Sequence, residues 1–167
     1  MRAQKNAGFT LVEIMIVVVI IGLLNAIALP LISQIRLKSQ ATRIASDFRL
    51  MKDGAEMALT ELGDAPPNGV PSRFPEALIP YLPSTVTLGK NTDKNYFPSS
   101  RWAWDNLENK KNRDWKYAIG LRSISSYKAN RKIMVEVDKI LDDGNVGTGF
   151  FRKDTWNGYT YILEFHD

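Results

Sequence analysis

Cysteine is absent from the 167 residues, which excludes disulfide bridges and thiolate metal sites. Histidine occurs once, at His166, one residue from the end, so neither a Ser-His nor a Cys-His nucleophile pair has material to work with. A glycine-rich phosphate loop and a two-histidine metal motif are missing too. Adjacent acids such as Asp142 and Asp143 suit solvation better than acid-base work. Nothing here points to an enzyme. A formal net charge of +4 is too small to argue for a nucleic-acid surface. Charge is scarce in one stretch above all: from Phe9 to Ile32, Glu13 is the one ionisable side chain, and only Thr10 and Asn25 add strong polarity.

What the chain does have is a short polar leader carrying Arg2 and Lys5 and ending at Gly8. Phe9-Thr10-Leu11-Val12-Glu13 follows, and then an apolar run from Ile14 to Ile32 broken by Asn25. A bilayer-spanning helix needs about 20 mainly apolar residues, and this run supplies them. A carboxylate at the head of such a segment costs about 2 to 3 kcal/mol on insertion scales, so Glu13 reads as a functional site whose partner lies elsewhere. Three readings compete. An ordinary signal peptide, cut after Ala26-Ile27-Ala28, leaves a secreted binding module, but it explains neither Glu13 nor Pro30 just past the cut. A plain anchor explains the length alone. A leader cut between Gly8 and Phe9 leaves the apolar segment on the mature protein.

The run Gly8-Phe9-Thr10-Leu11-Val12-Glu13-Ile14, followed by an apolar helix carrying Pro30, resembles the signature of the type IV pilin and type II secretion pseudopilin family. The resemblance implies that prepilin peptidase cuts after Gly8 and that the new Phe9 amine is methylated. It also implies that Glu13 pairs with the amine of a neighbouring subunit in a helical filament. Glu13 lies four residues beyond Phe9, on nearly the same helix face. Stranding one member of such a buried pair costs about 3 to 5 kcal/mol, so the pair fixes register between subunits. Pro30 removes a backbone donor and either kinks or locally melts the helix or simply marks where it leaves the membrane; the sequence leaves both readings open.

Arg2 and Lys5 place the leader on the cytoplasmic side. The expected location is therefore a single-pass inner-membrane protein, its C-terminal domain periplasmic or otherwise outside the cytoplasm, before entry into the filament. The implied partners are copies of itself, other pseudopilins, the peptidase, and an inner-membrane assembly platform with its ATPase. The lack of cysteine departs from pilins that close a C-terminal loop with a disulfide, which favours the pseudopilin branch. The resulting expectation is a structural subunit of a type II secretion pseudopilus, polymerised to drive protein export. The alternative within the family is a type IV pilin or competence pseudopilin serving adhesion, motility or DNA uptake.

Beyond Ile32 the apolar positions Leu37, Ala41, Ile44, Phe48, Met51, Ala55, Ala58 and Leu62 repeat at spacings of four and three, one stripe of an α-helix. This stripe continues the apolar run into one helix of about 50 residues, lipid-facing or self-facing first and core-facing second. Gly54 is a weak point within it, costing about 1 kcal/mol relative to alanine. Gly63 to Pro71 is a loop rich in glycine and proline. Pro75 can open a short helix that buries Leu78, Ile79 and Leu82, and Thr85 to Leu88 can form a brief strand. No structure is expected from Gly89 to Arg101.

Two strands are predicted around Trp102–Trp104 and from Trp115 to Leu121, where apolar side chains alternate. The basic loop between them, Lys110, Lys111 and Arg113, reads as solvated surface and the tryptophans as core. Ser125 or Ser126 can cap a helix running to Leu141. A tight turn at Asn157-Gly158 predicts a C-terminal hairpin, with Tyr159, Tyr161, Leu163 and Phe165 on one face.

The fold class is therefore α+β, a long N-terminal helix packed on a small antiparallel sheet of about four strands. The divisions are 1–8 leader, 9–32 membrane or filament-core half of the helix, 33–62 its amphipathic half, and 63–167 the globular head. The family resemblance also implies calcium in a C-terminal loop. Asp138, Asp142, Asp143 and Asn145 supply oxygen ligands of suitable hardness. Their spacing matches no recognised calcium loop, and Asp-Asp-Gly-Asn is also what a helix stop requires.

Overall fold

The computed structural model describes residues 8–68, 74–84, 100–110, 113–123, 131–154 and 158–166. Helix α1 runs Leu11–Leu62 over 52 residues. A 3-10 helix, Glu76–Tyr81, follows, then strands β1 (Ser100–Asn106) and β2 (Trp115–Ser123), helix α2 (Arg131–Leu141), and strands β3 (Phe151–Lys153) and β4 (Tyr159–Phe165). The four strands form one antiparallel sheet in the order β1-β2-β4-β3. The chain divides into two compact units, Met1–Leu37 and Lys38–Asp167. The long helix and the small antiparallel sheet together make the α+β, pilin-like arrangement expected from the sequence.

In the second unit the α1 stripe supplies one wall of the core. Ala41, Ile44, Ala45, Phe48, Met51, Ala55 and Ala58 are buried with Trp102, Trp104, Tyr117, Ile119, Leu121, Met134, Val137, Phe151 and Tyr159. Phe48 is the hinge of this packing, edge-on to Trp102 at 4.7 Å and to Phe151 at 5.2 Å between ring centres. Such pairs contribute about 0.5 to 1.5 kcal/mol beyond the area they bury. The stripe frays at both ends: Leu37 is half-buried and Leu62 is exposed.

Gly54 corrects the sequence expectation. It is buried, and a Cβ there would overlap the main-chain carbonyl oxygen of Tyr81. The glycine is thus a contact surface for the 3-10 helix, whose Tyr81 hydroxyl donates to Glu61 at 2.7 Å. The same segment turns Ile79 outward, against expectation, while Leu78 and Leu82 are buried. Three residues per turn set neighbours about 120° apart, so Leu78 and Ile79 cannot share a face.

Three further expectations shift, and two lie outside the described residues. β1 begins at Ser100, inside the stretch expected to be irregular, because Ser100 and Arg101 pair with Ser123 and Arg122. α2 begins at Arg131; a start at Ser125 or Ser126, like the expected strand at Thr85 to Leu88, lies outside the described residues. Register irregularities between Trp115 and Ala118 interrupt the alternation of β2. Trp115 therefore packs with Ala118, Ile162 and Phe165 in a second small cluster, not with Tyr117 and Ile119, and Phe165 leaves the face of Tyr159. The C-terminal hairpin forms, but Lys153 pairs with Tyr159, so the connection is Asp154 to Gly158 and longer than a two-residue turn. Buried Asp154 accounts for this: its carboxylate lies 3.2 Å from Arg113 and 3.1 Å from Arg122.

Candidate functional site

Thr10 and Glu13 close a hydrogen-bonded ring at the start of α1. The Thr10 main-chain N–H and hydroxyl each donate to Glu13 Oε2 at 2.8 Å, and the Glu13 N–H donates to Thr10 Oγ1 at 3.3 Å. This reciprocal capping box satisfies orphan donors of the first turn and turns the carboxylate back over the helix N-terminus, toward Phe9. Thr10 is the participant that sequence reading overlooked, although the spacing Thr-x-x-Glu is itself the signal.

Beyond this cap the apolar side chains have no cover. Phe9 is 85% exposed, and Leu11, Ile14, Val18, Ile21, Leu24 and Ile27 are all more than half exposed. The helix is long and apolar enough to cross a membrane, with a window of mean hydropathy 2.8 of which none is buried. Helical structure is assigned without interruption through Pro30, whose carbonyl accepts from the Ser33 hydroxyl at 2.7 Å.

A second constellation sits where α2 ends. One carboxylate oxygen from each of Asp138, Asp142 and Asp143 falls within 4.8 Å of the others. Asp138 has no exposed surface, and neither of its oxygens has a hydrogen-bond partner. Burial, reinforced by the charges of Asp143 and Asp142, pushes its carboxyl up to about 6. Asp142 Oδ2 accepts from the N–H of Phe150 and, at 3.2 Å, from that of Phe151. Gly149, at φ 72°, has no side chain to block that approach. Asp143 accepts from the Thr148 hydroxyl and the Asn145 N–H, each at 2.7 Å, and the Thr148 bond above all holds its carboxyl below the usual range.

Asn145 spends its side-chain oxygen on the Gly147 N–H at 3.1 Å and so belongs to the turn. Three of the four candidate ligands are thus brought together. A fully buried carboxylate with both oxygens orphaned, facing two others, suits a hard divalent cation. Thr148, Phe150 and Phe151 orient the outer two acids, which nothing in the sequence spacing signals.

The basic loop offers less. Arg113 lies over the Trp115 ring at 4.9 Å and beside Asp154, and Trp102, Trp104 and Trp115 are buried. Lys111 lies outside the described residues.

Comparison with known proteins bears on the first of these sites. Residues 3–29 match the family model described as the prokaryotic N-terminal methylation motif. That segment is similar to the N-terminal segment of type IV pilins. The chain is similar to a fimbrial protein of Pseudomonas aeruginosa, 49% identical over 61 residues, 36% of this chain and 38% of that one. It is likewise 49% identical over 61 residues to the type IV major alpha-pilin of Moraxella bovis, covering 37% of that protein. The type IV major fimbrial protein FimA of Dichelobacter nodosus is 44% identical over 54 residues, 35% of its length. These relatives are named as pilins or fimbrial proteins and not as enzymes. The chain spans less than two-fifths of the length of these curated relatives. No solved structure matches it. The matched motif covers Gly8, Phe9 and the capping box.

Proposed function

We propose that this chain is a structural subunit of a type IV pilin-like filament, held in the inner membrane by Phe9 to Ile32 before assembly. One observation carries the reading: a methylation motif leads directly into a helix whose first part, up to Ile32, has uncovered apolar side chains and a single carboxylate, Glu13, turned back onto the helix N-terminus. Prepilin peptidase cuts between Gly8 and Phe9, methylation leaves the Phe9 amine cationic, and Glu13 neutralises the amine of a neighbouring copy. Pro30 bends the helix for packing in the filament. The uncovered side chains exchange lipid for other copies of themselves, and an inner-membrane platform with its ATPase drives that exchange. The head faces the periplasm. N-terminal mass spectrometry of the mature protein tests this: N-methyl-Phe9 is expected, and a start near Leu29 overturns it.

The names of the relatives favour a pilus subunit. A second reading, a type II secretion pseudopilin that drives protein export, is favoured by the lack of cysteine together with the acidic cluster. There Asp138, Asp142 and Asp143 would hold calcium and tie the end of α2 to the start of β3. Calorimetric titration of the detergent-solubilised chain with millimolar calcium tests the cluster, and no heat of binding ends that assignment. Deleting the gene and assaying both surface filaments and exported protein separates the two branches.

A further inference from the structure

We propose that the exposed face of α1 from Lys38 to Glu61 is an interface with a second copy of this chain, parallel and displaced by eighteen residues. This rests on the filament reading above and adds the register of a second pair of copies, distinct from the pair that Glu13 and the Phe9 amine join. The face is built of Lys38, Arg43, Arg49, Leu50, Asp53, Glu56, Met57 and Glu61, all exposed. Leu50 and Met57, at 51% and 58% exposure, form an apolar strip one heptad apart, opposite the stripe that enters the core. Charge is segregated along it: cations predominate from Lys38 to Arg49 and acids from Asp53 to Glu61.

The spacing fixes the displacement. Glu56 follows Lys38 by the same eighteen residues as Glu61 follows Arg43, and no two like charges of α1 are eighteen apart. Eighteen residues are five full turns, so both pairs lie on common lines along the helix at a rise of about 27 Å. A parallel copy shifted by that amount sets Glu56 beside Lys38 and Glu61 beside Arg43, with Met57 level with Ser39. The internal Lys52–Glu56 pair, at 3.2 Å with half-exposed side chains, is of the weak surface kind and leaves Glu56 able to exchange partners. Segregated charge also opposes the unshifted alignment, which sets like against like.

The absence of cysteine makes the register directly readable. In cells assembling the full-length protein, Ser39→Cys with Met57→Cys is expected to give a ladder of disulfide-linked oligomers on mild oxidation. Either single variant, and the same-face pair Ser46→Cys with Met57→Cys, gives at least about 5-fold less. Adding Lys38→Glu to the cross-linking pair should cut the ladder by about 5-fold, and Glu56→Lys on top should restore it to within about 2-fold, as a direct charge pair requires. Wild-type filaments with no ladder from the Ser39–Met57 pair overturn the register and leave the filament reading standing. So does an equal ladder from the Ser46–Met57 pair. A wild-type chain that forms no filament overturns both.

Discussion

Gly54 of α1 and Tyr81 of the 3-10 helix meet backbone to backbone, the Tyr81 carbonyl carbon standing 3.1 Å from where a Cβ of residue 54 would be. Helix propensity alone makes Gly54→Ala stabilising by about 1 kcal/mol. Overpacking against main chain costs about 1 to 3 kcal/mol and has no flexible side chain to yield, so packing decides the sign. Gly54→Ala is expected to lower the chemical denaturation midpoint of the detergent-solubilised chain. Gly22→Ala, with nothing within 4 Å of the new methyl group, is expected to leave it unchanged or raise it.

At the other end of α1, Thr10→Val removes the hydroxyl that both donates to and accepts from Glu13. Loss of such a cap costs about 1 kcal/mol of helix start. The variant should still be cut after Gly8, as should Glu13→Ala, but the amount of sheared filament should fall with both, and further with Glu13→Ala. Immunoblots of sheared and cell-bound fractions, with N-terminal mass spectrometry, check this. Normal filament yield from Glu13→Ala contradicts the assembly role.

Asp138 predicts a pH dependence. Its folded-state value of about 6 lies above the ordinary 3.8, so the native chain binds an extra proton between those values. With chelator present, stability is therefore fully retained below the unfolded value, falls as pH rises through this window, and levels off above it. A shift of that size corresponds to about 3 kcal/mol. Asp138→Asn should flatten this part of the profile and raise the denaturation midpoint at pH 7.5 in chelator, while abolishing any gain from added calcium.

Asp154 predicts the behaviour of the β3–β4 connection. Only 3% exposed and set between Arg113 and Arg122, it fixes the start of that connection. Arg122 keeps Asp105 as a second partner, so Asp154→Ala should cost about 1 to 3 kcal/mol and not abolish folding. A shift of the denaturation midpoint without loss of a cooperative transition is the expected result.

The long helix, the strand cores and the N-terminal methylation motif were legible because each is written locally: a stripe at spacings of three and four, an alternation, and a run of consecutive residues. What escaped depends on contacts between distant segments. Gly54 looks like a flaw until Tyr81 lies against it, and Trp115 looks like a partner of Tyr117 until the β2 irregularity turns it over. The acidic cluster was half legible. Asp138 and Asp142 sit four apart on one turn, but the complete burial of Asp138 depends on how α2 packs, which spacing does not reveal.

The loop after α1 closes more than a connection. The Asn68 side-chain amide donates to the Asn106 carbonyl at 2.8 Å and its oxygen accepts the Asn106 N–H, while Trp104 donates to the Pro66 carbonyl at 3.0 Å. A carboxamide thus completes the last rung of β1 as a neighbouring strand would. Open sheet edges template uncontrolled stacking, a hazard that grows with local concentration. In the proposed filament, where copies crowd against one another, sealing that end of the sheet removes a competing way for heads to stick together and leaves association to the helix.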